Sequence, residues 1–185
     1  MNWYFLDACS LLNLYATMRL EQIATTLDLQ FSVLPVVYPN ESQFIYARDG
    51  RTRLEPVPLD LSKALEAGFV RVEDDLSDAE NALYLEFAVA NIDDGEAMTA
   101  AAAILRGSGL ITDDRKARRI ISKAAPQLEI ISSIGLVRRW VEDQKTDLSE
   151  AREVLYNIEI CGNYTIGKNE PELTWCQSIL TIKTE

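Results

Sequence analysis

The sequence predicts an α/β protein, a three-layer α/β/α sandwich around a mostly parallel central sheet. Three observations predict it. Short apolar runs end abruptly in carboxylates: Tyr4-Phe5-Leu6 stops at Asp7, and Leu110-Ile111-Thr112 stops at Asp113-Asp114. Segments with apolar residues three and four apart alternate with those runs, as helices crossing between parallel strands must. The 185 residues, 48% of them hydrophobic, suffice for one domain with a proper core.

Taken in order, residues 2–6 read as the first strand. From 10 to 27 the positions Leu11, Leu12, Leu14, Tyr15, Met18, Leu20, Ile23, Ala24 and Leu27 recur at helical spacing, with a break near residue 20. Residues 31–34 read as a strand. Pro35 and Pro39 bracket Val36-Val37-Tyr38, and a helix is expected to start near Pro39, because proline suits a first turn. That helix would carry Glu41 in its first turn and Phe44 and Ile45 in the next. Residues 46–60 are polar, with Gly50, Pro56 and Pro58, and read as a loop or hairpin outside the core.

Residues 61–67 read as a short helix stopped by Gly68, and 69–73 alternate like an edge strand. Ser77-x-x-Glu80 is a capping-box pattern opening a helix through Ala90. Asp93-Asp94-Gly95-Glu96 precedes an alanine-rich helix to about Arg106, suited to close approach on a sheet. After the Gly107-Ser108-Gly109 turn come a buried strand at 110–112, a helix from Arg115 to Ala125 stopped by Pro126, a strand at 128–131 and a helix over 134–144. Beyond residue 146 the strand signal fades. Residues 1–145 are therefore taken as the main domain and 146–185 as a C-terminal helical appendage packed on it. In the appendage a helix is expected over 147–160, a polar loop over 161–171 and a last short helix over 172–182.

Composition excludes several function classes. The chain has no histidine, which rules out a His base in a serine or cysteine hydrolase, His-ligated zinc and His phosphotransfer. Any acid–base or metal chemistry must use carboxylates. The longest apolar run, Ala100 to Leu105, is too short to cross a bilayer, and no secretory signal is expected at the amino terminus. Three cysteines without metal-ligand spacing point to a reducing cytoplasm. The net charge of −11 argues on its face against a nucleic-acid partner, although the total says nothing of local distribution.

Asp7, Glu41, Glu96 and one or both of Asp113 and Asp114 each follow a strand or open a helix, the positions that face the carboxyl edge of such a sheet. Each has a plainer reading as a helix cap or a first-turn acid. Those readings treat the acids one by one and leave their common edge unexplained. Carboxylates within about 4–6 Å of one another raise each other's pKa, so such a cluster calls for a divalent cation, and oxygen ligands favour Mg²⁺ or Mn²⁺. The chemistry implied is phosphodiester hydrolysis without histidine.

These residues resemble the PIN-domain family of metal-dependent nucleases. Phe5-Leu6-Asp7-Ala8-Cys9-Ser10-Leu11-Leu12 is similar to its strand-one signature, with Cys9 where Ser, Thr or Asn is commoner. Glu41 resembles the second acid, Asp94-Gly95-Glu96-Ala97 the third motif, and Leu110-Ile111-Thr112-Asp113-Asp114 with Ala117-Arg118 the fourth. The resemblance covers roughly residues 2–142. It implies metal binding by Asp7, Glu96 and Asp114, with Asp113 assisting and Glu41 acting through water. It also implies cleavage of single-stranded RNA, a protein antitoxin as partner, and a homodimer. Thr112 is a candidate for contact with the site or the substrate phosphate. Arg115 and Lys116, with Arg118 and Arg119, and Arg48 and Arg51, with Arg53, are candidates for substrate binding; the alternatives are a solvated helix face and a decorated turn. Cys9 is expected to be buried and inert. A PIN-like fold serving as a binding module with weak or no catalysis is the competing expectation.

Overall fold

The computed structural model describes residues 2–181; Met1 and residues 182–185 lie outside the described residues, so the last helix and the appendage are followed only to Thr181. β1 (Asn2–Leu6), β2 (Leu29–Val33), β5 (Val70–Val72), β6 (Gly109–Ile111) and β7 (Ile130–Ile131) form one sheet in the order β5-β2-β1-β6-β7, and every pairing in it is parallel. β3 (Phe44–Asp49) and β4 (Thr52–Pro58) form a separate antiparallel ribbon. The three-layer α/β/α fold expected from the sequence is present.

Successive side chains of a strand face opposite sides, and β1 serves both layers of the sandwich. Tyr4 and Leu6 enter a core shared with α1 (Ala8–Ala16), α2 (Leu20–Thr26), α7 (Ser133–Gln144), α8 (Leu148–Ile160) and α9 (Leu173–Thr181). Phe5, fully buried, enters the opposite core with Phe87 of α4 (Asp78–Val89), Ala97, Ala100 and Ala103 of α5 (Asp94–Leu105), and Ala117 and Ile121 of α6 (Arg115–Ala124). The alanines let α5 lie directly on the sheet. Phe5→Ala would cost about 3–5 kcal/mol there.

Caps set the helix starts. Ser77 and Glu80 close the expected capping box at α4. Asp7, Asp114 and Ser132 cap α1, α6 and α7 through their side chains. The helical run after strand one breaks at residues 17–19, where Met18 takes φ of 57°. A short helix α3 (Ser62–Glu66) ends before Gly68, whose φ of 76° suits glycine.

One expectation about the elements fails. No helix runs on from Pro39 through Phe44 and Ile45. A helical turn, Val36–Glu41, is interrupted at the extended Tyr38 and ends at Glu41. Phe44 and Ile45 belong to β3 instead. The reason lies far along the chain: Ile45 is buried, the Tyr46 N–H donates to the Cys161 carbonyl at 2.9 Å, and β4 supplies the ladder partners. Among the described residues no helix is long and apolar enough to cross a membrane.

Candidate active site

From β1 the chain builds outward through β2 to β5, then returns to add β6 and β7 on the other side. The strand order therefore reverses between β1 and β6, and ligands of parallel α/β sheets sit at the carboxyl side of such a reversal. Leu6 and Ile111 are register partners, so Asp7 and Thr112 leave the sheet side by side. The Asp7 N–H donates to the Ile111 carbonyl at 3.4 Å. Asp7 is 2% exposed, and its Oδ1 accepts the Ser10 N–H at 2.7 Å. Its other oxygen, Oδ2, is buried without a hydrogen-bond partner.

The remaining acids arrive from three elements. Asp114 accepts the Ala117 N–H at 2.5 Å, and its backbone N–H donates to the Thr112 hydroxyl at 3.3 Å. Glu96, half-buried, stands in the first turn of α5. Glu41 is exposed and lies against Gly95: a Cβ at that position would stand 2.6 Å from Glu41 Oε2. Glycine at 95 is thus what lets the Glu41 carboxylate approach the start of α5.

Electrostatics tie the acids together. Burial, then the charge of Asp113, pushes Asp7 up to about 6, against the Thr112 hydroxyl and the Ser10 N–H, which favour its ionised form. Burial, then Asp114, Asp7 and Asp93, pushes Glu96 up to about 7. Glu41 is raised by burial and by Asp94. Cys9 corrects an expectation: it is exposed, not buried. Loss of water around its thiol, then the charges of Asp7, Asp113, Glu96 and Glu41, raises it to about 11. That shift favours the neutral thiol over the nucleophilic thiolate.

Among the described residues no three acids or thiols converge closely enough to enclose an ion as the side chains stand. In donor type and charge the set nevertheless fits a hard divalent cation. It offers oxygen ligands only, one of them a buried orphan, and burial and then neighbouring acids push Asp7 and Glu96 up.

Other sequence candidates sit differently. Both oxygens of Asp113 are engaged: Oδ1 accepts the Ser133 N–H at 2.8 Å, and Oδ2 accepts Asn13 Nδ2 at 2.8 Å and the Ser133 hydroxyl at 2.5 Å. Thr112 is 1% exposed, and its hydroxyl accepts the Asp114 N–H at 3.3 Å. Arg115 lies 3.7 Å from Glu170, and exposed Lys116 donates to the Asn91 carbonyl. Arg48 is spent on α8, pairing with Glu153 and donating to Asn157 Oδ1, while Arg51 stacks over the Tyr156 ring at 4.1 Å. Arg53 donates to the Ile160 carbonyl at 3.0 Å. These arginines fasten the ribbon to the C-terminal helices and do not join the acids.

Sequence reading missed Asn13, Ser133 and Glu170. Asn13 had a signal, a polar residue on the apolar stripe of α1, buried at 2% exposure. Glu170, buried at 7% exposure in the C-terminal loop, had none.

No protein-family model matches the sequence, and no curated protein matches it. Among solved structures, the chain is similar to a chain of VapBC2 from Rickettsia felis, crystallised bound to a DNA fragment from the promoter. The TM-score is 0.38 and the identity 15%, over 70% of this chain and 98% of that one. At that score the likeness adds nothing to what the side chains say.

Proposed function

We propose that the protein is a metal-dependent endoribonuclease of PIN type, hydrolysing phosphodiester bonds in single-stranded RNA. One observation carries the reading: the buried, unpartnered Oδ2 of Asp7, at the point where strand order reverses, with further carboxylates around it. Structural acids find arginines or amides; these acids have too few.

In this reading Asp7, Glu96 and Asp114 hold Mg²⁺ or Mn²⁺, with Asp113 held one layer behind by Asn13 and Ser133. A bound divalent ion supplies charge neutralisation of the scissile phosphate and a more acidic water. Asp7 is aimed by the Ser10 N–H and Asp114 by the Ala117 N–H. Glu41, seated on Gly95, is assigned the attacking water. Residues 1–145 carry the chemistry and 146–185 form the appendage. A protein antitoxin and a second copy of the chain are proposed as partners on the motif resemblance alone, and a reducing cytoplasm as the setting, in keeping with three unpaired cysteines.

The test is cleavage of a mixed single-stranded RNA with Mn²⁺, with Mg²⁺ and with chelator, beside Asp7→Asn. Cleavage that needs metal and vanishes in the variant supports the reading. Cleavage that survives Asp7→Asn contradicts it. Silence under every condition favours the binding-module reading, for which the engaged oxygens of Asp113 speak.

A further inference from the structure

A nuclease needs positive charge where the phosphate sits, and a chain of net charge −11 has little to spare. The cations nearest the fourth acid in sequence are Arg115, Lys116, Arg118 and Arg119. Arg118 is fixed to the site itself, because its Nη1 donates to the Thr112 carbonyl at 2.8 Å. Its other nitrogen, Nη2, donates to Glu170 at 2.6 Å, and Arg115 lies 3.7 Å from the second oxygen of the same carboxylate. One carboxylate therefore already lies between two arginines beside Asp114, hydrogen-bonded to Arg118 and ion-paired with Arg115. It comes from the loop between α8 and α9, fifty-two residues from Arg118.

That loop follows the rim of the acid cluster. Gly162 packs on Asn13, the residue that holds Asp113: a Cβ there would stand 2.7 Å from Asn13 Oδ1. Tyr164 has its hydroxyl pushed above the ordinary tyrosine range by burial and then by the charges of Asp113 and Glu170. Gly167 lies under Arg115, a Cβ there being 3.8 Å from its Nη1. Beside the pair opens a cleft of about 400 Å³, bounded by Arg118, Ser132, Arg138, Arg139 and Glu170. Arg138 and Arg139 pair with exposed carboxylates, Glu142 and Glu129, and exposed pairs yield readily to a competing anion.

The geometry points to Arg115 and Arg118 as a binding site for a backbone phosphate of single-stranded RNA, occupied in the free protein by the Glu170 carboxylate as an internal stand-in. The inference rests on the nuclease reading and adds its phosphate site and the group that masks it. Carboxylate and phosphate present the same paired oxygens to guanidinium groups, so Glu170 must yield for substrate to bind. The C-terminal loop then acts as a strap whose release accompanies RNA binding. The mask also reconciles the acidic total with an RNA partner, since the local positive charge is present and internally cancelled.

The test is titration of a labelled single-stranded RNA into the full chain in chelator, where cleavage cannot interfere. Wild type is compared with Glu170→Gln, which keeps the shape and a hydrogen-bond acceptor but removes the charge. The variant is expected to bind about 10-fold more tightly. Its salt dependence should steepen by about 1 to 1.5 in the log–log slope, as two arginines become free for phosphates. Unchanged affinity and slope in a folded variant overturn the inference, as does absence of RNA binding by both proteins. Should the variant not fold, hydrogen exchange on wild type decides. RNA should speed exchange of the backbone N–H groups of Glu170 and Leu173, which donate to the Gly167 and Glu170 carbonyls, and unchanged exchange overturns the strap. Tighter binding by Glu170→Gln without cleavage by either protein would sink the nuclease reading and keep the phosphate site. Metal-dependent cleavage with identical binding by the two proteins would do the reverse.

Discussion

Two groups of carboxylates in this molecule can be set side by side. Glu73 and Glu80 lie between the β5 edge and α4, and Arg106, at the end of α5, reaches both. Arg71 pairs with Glu73 as well and covers the Trp3 ring at 3.6 Å. Glu80 is held down to about 2 by its hydrogen bonds to Arg106, and the Ser77 N–H adds to them. Asp7, buried like Glu80, and the half-buried Glu96 are pushed up to about 6 and 7. The residue types are the same and the shifts are opposite. The first group carries its own counter-ions and works as a brace. The second lacks them, which is what the proposed cation site needs. Perturbation in the raised direction, without an internal partner, is the contrast on which the proposed site rests.

The largest effect expected from breaking this contrast is that of Asp7→Asn on RNA cleavage. A loss on the order of 1,000-fold should follow, since metal-borne charge stabilisation of several kcal/mol goes with the ligand. Thermal melting without metal should move the other way. Asparagine can still accept the Ser10 N–H and removes a buried, unpaired charge, so the metal-free variant should melt higher than wild type at pH 8.

In the brace, Arg106→Ala should destabilise by roughly 2–3 kcal/mol, because Glu80 would stay enclosed without its partner. Urea unfolding would measure it, and cleavage per folded molecule should not change. A loss of cleavage with stability intact would erase the distinction between the groups.

Acidity sharpens it further. Asp7 and Glu96, raised from 3.8 and 4.5 to about 6 and 7, keep protons in the folded state that the unfolded chain has released. Their contribution is fully present below about pH 4 and is lost as pH rises to about 7, and Mn²⁺ should restore it. Glu80, lowered from 4.5 to about 2, contributes above pH 4.5 and fails as pH falls towards 2. Melting temperatures from pH 3 to pH 8, with and without Mn²⁺, would separate the two; a metal-free curve rising from pH 5 to pH 8 would contradict the assignment. The smallest effect expected is that of Asn13→Ala. It frees Asp113 from one of three hydrogen bonds and should weaken Mn²⁺ binding about 10-fold, as read by calorimetry.

The contrast was half legible in the sequence. Asp7, Glu96 and Asp114 could be placed because strand ends and helix starts are local signals, written in apolar runs, caps and glycine. The same locality explains the failures. Phe44 and Ile45 were read as helix because their true partners, β4 and the Cys161 carbonyl, lie elsewhere in the chain. Cys9 was expected inside because its neighbours are buried, yet it stands in the first turn of α1 facing outward. Arg48 and Arg51 looked free in a polar loop, but α8 takes them up about a hundred residues on. No spacing rule joins Glu170 to Arg118.

The central claim is that the Asp7 cluster is a cation site, and calorimetric titration of Mn²⁺ into the full chain at pH 7 tests it most directly, with Asp7→Asn alongside. Saturable binding by wild type, with proton release as Asp7 and Glu96 ionise, and its loss in the variant is the expected result. No binding, or equal binding by both proteins, would contradict the claim.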